Sequence, residues 1–180
     1  HHDTVYVTAN PMYQTKNLGH VFHEVIDVWK SEWDDQLKTV RPEKVAEATL
    51  EAYEEFPDKR ILSHFMQPHY PFIGDSAHKI GNHAGYELTY RHVQGKDATR
   101  DHSTVWSLLD EGEVDEEAVW RAYDGNLEIA LPHVKRLVNE FDERTVVTSD
   151  HGNLVNERIT PFGKRVSGHP LETYTDQLRK

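Results

Sequence analysis

Asp150 and His151 stand side by side in "RTVVTSDHGNL" (residues 144–154), where a β-branched run stops at two side chains able to bind a metal. A hard carboxylate oxygen next to an imidazole nitrogen suits zinc, manganese or iron better than an all-oxygen calcium site. Neighbouring residues of an extended strand point to opposite sides, so both reach one ion only if the chain turns there, and Gly152 is expected to supply that freedom. On spacing alone, an equal reading makes Asp150 the cap of a following helix beside a surface histidine. His69 lies between two prolines in "MQPHYPF". Its backbone is stiff, which suits a ring aimed at an anion; with 13 histidines in the chain, an ordinary loop histidine is the competing reading. Lys164, Arg165 and His169 follow in the Gly-punctuated "TPFGKRVSGHP", and cations close to a metal favour an anionic substrate.

These residues need elements that bring them together. Three β-rich runs, at 4–9, 60–66 and 144–149, alternate with helical text, the pattern of a mostly parallel sheet flanked by helices. They lead into Asn10-Pro11, Gln67-Pro68-His69 and Asp150-His151-Gly152. In open α/β sheets, ligands collect beyond the carboxyl ends of the strands, so the three groups are expected to converge on one edge. Helices are expected over 20–33 and 41–56, the second with Pro42 in its first turn. A longer helical stretch over 114–141 contains Gly125 and Pro132, which predicts one bent helix or two short ones with the break near Pro132. Residues 72–101, rich in Gly, His and charge, read as an insertion-like surface loop within a single domain spanning 1–180.

At 180 residues and 37% hydrophobic, the chain is long enough for one domain with a real core. Its mean hydropathy of -0.75 leaves no window resembling a membrane span. With 31 acidic against 20 basic residues the formal charge is -11, which argues against nucleic acid as a partner. The absence of cysteine excludes thiolate metal sites, disulfides and cysteine nucleophiles from these residues. Nothing here decides the compartment: the opening residues lack a signal peptide's basic and apolar regions, and any export signal is expected outside the chain.

Taken together and in this order, "HFMQPHYPF", "VVTSDHGN" and "SGHPLETYTDQLRK" resemble the downstream portion of the catalytic domain of the alkaline phosphatase and sulfatase superfamily. The resemblance implies an alkaline-phosphatase-like fold, with Asp150 and His151 as metal ligands and His69 as a contact to the phosphate or sulfate. It places His169 near the anion or the metal, with Lys164 as a rival for that role. A histidine at 151, where sulfatases often carry Asn, leans toward the phosphatase and phosphoglycerol-transferase branches. The implied cofactor is a divalent metal, zinc or manganese first, with calcium and magnesium open. The implied partner is an anionic ester. The family's nucleophile, a Ser, Thr or modified Cys, belongs to an earlier strand and loop not found in this stretch, so the expectation is part of an active site on an incomplete sheet with no catalytic nucleophile assigned. An exposed sheet edge would favour self-association into a homo-oligomer. The alternatives are a non-catalytic module of that fold binding an anion or a partner, and an unrelated doubly wound domain in which His69, Asp150 and His169 do not converge.

Overall fold

The computed structural model describes residues 2–15, 20–80, 91, 93–95, 104–158 and 161–168. The chain is α/β. At its centre, β1 (Thr4–Thr8) pairs in parallel with β2 (Glu24–Asp27) on one side and with β5 (Arg60–His64) on the other. Two antiparallel pairs accompany this sheet: β3 (Trp33–Asp34) with β4 (Thr39–Val40), and β6 (Leu154–Arg158) with β7 (Arg165–Gly168). The short helices α1 (Met12–Thr15) and α2 (Val28–Ser31) flank β2 in sequence, α3 (Pro42–Glu55) precedes β5, and α4 (Val105–Asp110) and α5 (Glu116–Glu140) precede the hairpin. Among the described residues, no helix is long and apolar enough to cross a membrane.

Alternation along β1 sends Val5, Val7 and Ala9 to one face, where they meet Val28, Trp29, Val45 and Ala52 in a buried cluster. The α3 helix fits that face because its buried positions, Val45, Ala46, Thr49 and Ala52, recur with helical period behind a proline at its first turn. A second cluster joins Phe72 and Ile80 to Val105, Trp106, Leu109, Val119, Ala122 and Val155. The expected surface loop at 72–101 therefore begins as core: Phe72 is buried, a 3-10 turn follows over Asp75–Lys79, and Ile80 is buried. Most of that stretch, 81–90, 92 and 96–101, lies outside the described residues.

Two expectations give way. The helix expected over 20–33 is instead the strand β2 followed by the single turn α2. Its apolar positions fit a helical period, but Val25 and Ile26 are β-branched, and pairing with β1 in register Tyr6 to Val25 and Val7 to Ile26 decides the outcome. The strand expected at 144–149 enters no ladder, leaving Val146 76% and Val147 61% exposed. Just before it, the Tyr53 hydroxyl donates to Glu143 at 2.7 Å, and the Tyr53 ring lies tilted against Phe141 at 4.6 Å. Of the two forms expected around Pro132, the structure has one helix: α5 runs for 25 residues with Pro132 inside it. Pro132 lies on its exposed side, where water can satisfy the carbonyl that a proline leaves without a donor.

Candidate metal and anion site

The parallel pairing of β1 with β5 carries Asn10 and Gln67 past the same sheet edge, as expected. Both are used by the scaffold. Asn10 accepts from the Met12 backbone N–H at 2.8 Å, and the buried Gln67 donates to the Val40 carbonyl at 3.1 Å. The third group arrives without a strand behind it, yet the carboxylate of Asp150 lies close enough for its charge to act on Tyr6 of β1 and His64 of β5.

At 150–151 the chain brings both donors to one side. Asp150 Oδ1 accepts from the His151 backbone N–H at 2.9 Å, and Asp150 Oδ2 stands 3.7 Å from His151 Nε2. Two ligand atoms of a tetrahedral zinc site, each about 2.0–2.2 Å from the metal, lie roughly 3.3–3.6 Å apart, so the pair fits with a small adjustment. His151 Nδ1 contacts the Gly152 carbonyl at 2.8 Å. A carbonyl only accepts, so Nδ1 carries the proton and the neutral ring places its lone pair on Nε2, the arrangement that orients a metal-binding histidine. Gly152 has no positive φ; the positive-φ glycines among the described residues are Gly95, Gly112 and Gly168. What position 152 contributes is its carbonyl, not left-handed freedom. The helix-cap reading of Asp150 also lapses, because the element that follows is the strand β6. Among the described residues no group of three or more His, Asp or Glu side chains is placed to hold a metal, so Asp150 and His151 fit as two donors of a larger set.

The His69 loop has its own frame. His69 Nδ1 donates to the Tyr70 carbonyl, its ring stacks on Tyr70 at 4.3 Å, and Tyr70 meets Trp106 edge-on at 5.8 Å. With Nδ1 so used, Nε2 is the nitrogen that donates to an anion when the ring is protonated and offers a lone pair when it is neutral. One helix receives both loops. On α5, Asn126 holds the His69 loop, while Tyr123, three residues earlier, packs against Phe72 of that loop at 6.5 Å and accepts from Asn153, just past His151, at 3.4 Å.

Lys164 is exposed at the turn end of the hairpin, next to Arg165, which pairs with Arg158; Leu154 pairs with Gly168 at the other end. Leu154 and Arg158 are four steps apart along the strand, a span on the order of 13 Å. His169 lies outside the described residues. Gly168, with φ of +81°, brings its backbone against Trp106, where an added Cβ would come within 3.0 Å of the indole.

Sequence reasoning missed two features. Asn126 is fully buried on the same stripe as Ala118, Ala122 and Ala130, and a polar residue at that four-residue spacing was a readable signal. Tyr6 and His64 were hidden because their partnership depends on the β1–β5 register, Thr8 opposite His64. The Tyr6 hydroxyl and His64 Nδ1 share a hydrogen bond, and Tyr13 and Phe22 crowd the Tyr6 ring. Burial pushes the Tyr6 phenol above its usual range and the His64 imidazole below its own, with Asp150 opposing the latter shift.

A testable consequence follows from His64. Its folded-state value is depressed, so below the unfolded value of about 6.5 the unfolded chain binds more protons than the folded one. The contribution of His64 is fully present above about pH 6.5 and is lost as the pH falls through the lower, folded-state value. Urea midpoints between pH 7.5 and pH 5 are expected to fall less in His64→Gln than in wild type; parallel declines would contradict this.

Comparison with protein-family models, curated proteins and solved structures finds no match to the chain.

Proposed function

We propose that this chain carries part of the active site of a metal-dependent hydrolase or transferase acting on phosphate or sulfate esters, of the alkaline phosphatase and sulfatase superfamily. The observation that supports this most is the local geometry of Asp150 and His151: donor atoms 3.7 Å apart, with the imidazole oriented through its second nitrogen by the Gly152 carbonyl. Asp150 and His151 hold a divalent metal, zinc or manganese by the mixed donor set. Such a metal supplies Lewis-acid chemistry that lowers the pKa of a bound hydroxyl or water. His69, held by Tyr70, donates Nε2–H to an ester oxygen when protonated and helps neutralise the anion. The bond broken is the phosphorus–oxygen or sulfur–oxygen ester bond, and the acceptor is water or an alcohol. Lys164 and His169 stay as alternatives for a further contact to the anion.

The test uses inorganic phosphate as probe. Calorimetric titration of the chain with phosphate is expected to show binding with zinc or manganese present, loss of it after chelation, and weakening in His69→Ala by about tenfold, the scale of one charge-assisted hydrogen bond. Phosphate binding indifferent to metal would leave an anion-binding module in place of an enzyme site.

A further inference from the structure

We propose that Asn126 is the positioning residue of the His69 loop, fixing the tautomer of His69 and hence which ring nitrogen faces a ligand; the inference rests on the reading of His69 as the anion contact. Asn126 is fully buried near the middle of α5. Its Oδ1 accepts from the Ile73 backbone N–H at 2.7 Å, and its Nδ2 donates to the carbonyls of His69 at 3.0 Å and Pro71 at 3.1 Å, with the Pro68 carbonyl at 3.5 Å. Carbonyls at one end and an N–H at the other admit a single orientation of the amide.

The two closest carbonyls lie on either side of Tyr70. Asn126 therefore holds the His69–Tyr70 and Pro71–Phe72 peptide units, which flank the Tyr70–Pro71 unit, and so limits the direction of the Tyr70 carbonyl, which accepts from His69 Nδ1. A loop of this kind has no ladder or helix to satisfy its own backbone, so one buried amide does that work. An apolar side chain would serve the stripe of Ala118, Ala122 and Ala130 at least as well. Asparagine is explained by the loop it holds, not by the packing of the helix.

The test is long-range proton–nitrogen NMR of the histidine rings on the whole chain. Wild type is expected to show His69 as the Nδ1–H tautomer. In Asn126→Ala and Asn126→Ser the ring should shift toward the Nε2–H form common in water, while His151 keeps its pattern. Ala130→Gly, which weakens the same helix without touching the loop, should leave His69 unchanged. A wild-type His69 in the Nε2–H form, an unchanged tautomer in either folded Asn126 variant, or the same shift in Ala130→Gly would each overturn the proposal. Should neither Asn126 variant fold, exchange of the Ile73 amide in wild type decides: protection comparable to the core supports the clamp, and exchange at the rate of an open loop overturns it. Phosphate added afterwards reports separately on the functional reading. A fixed tautomer with no response of Nε2 to phosphate would remove His69 as the anion contact and leave Asn126 as the residue that orients it.

Discussion

Asp150→Ala is expected to weaken zinc or manganese binding by at least about 100-fold while leaving the fold intact. Losing a direct ligand should cost at least as much as losing an outer-shell partner, which typically costs 10 to 100-fold. The fold should not notice: the Asp150 side chain is 74% exposed and its hydrogen bond is to the adjacent residue's N–H, so the change in stability should stay within about 0.5 kcal/mol. Competition of the protein against a chromophoric chelator, with thermal melts of the metal-free forms alongside, separates the two effects. Unchanged affinity would make the 150–152 turn a local surface structure. Metal loss accompanied by a large fall in melting temperature would mean that Asp150 acts on the fold.

The second large effect is expected in stability. Asn126→Ala removes the side chain that bonds the Ile73 N–H and the His69 and Pro71 carbonyls. Leaving buried backbone groups without partners costs about 1–3 kcal/mol each before solvent relaxation, so a net loss of about 3 kcal/mol is expected once water reaches some of them. Asn139→Ala makes the same chemical change on the same helix at an exposed position and should stay within about 0.5 kcal/mol. Urea unfolding of both variants, read as a shift in midpoint at constant slope, measures the difference directly. Equal midpoints would mean that the 67–73 loop stands without its clamp.

What could be read in advance follows from how local each determinant is. Helix α3 was legible because Pro42 and the repeat of Val45, Thr49 and Ala52 lie within its own span. Strands β1 and β5 were legible because each is a short β-branched or aliphatic run bounded by polar residues. The misreadings share a non-local cause. "EVID" becomes a strand through its partner β1, and "TVVTS" stays out of the sheet for want of a paired backbone. The passage of α5 through Pro132 as one helix has neighbours to support it too, since the helix packs against α3 and the 3-10 turn.

The site divides in the same way. Asp150 and His151 are adjacent in sequence, and their shared direction is set within three residues by the Gly152 carbonyl. His69 was legible as a stiff loop histidine, whereas the means of holding it lay 57 residues away in Asn126. Lys164, 13 positions from His151, comes to lie at the turn of the β6–β7 hairpin, a placement set by the pairing of the two strands and not legible in the spacing.

Crystals of the chain grown with zinc or manganese and inorganic phosphate, measured at the metal absorption edge, test the central claim most directly. An anomalous peak bonded to Asp150 Oδ2 and His151 Nε2, with phosphate within hydrogen-bond distance of His69 Nε2, is the predicted result. Strong anomalous peaks only at other side chains, with Asp150 and His151 turned apart, would contradict it.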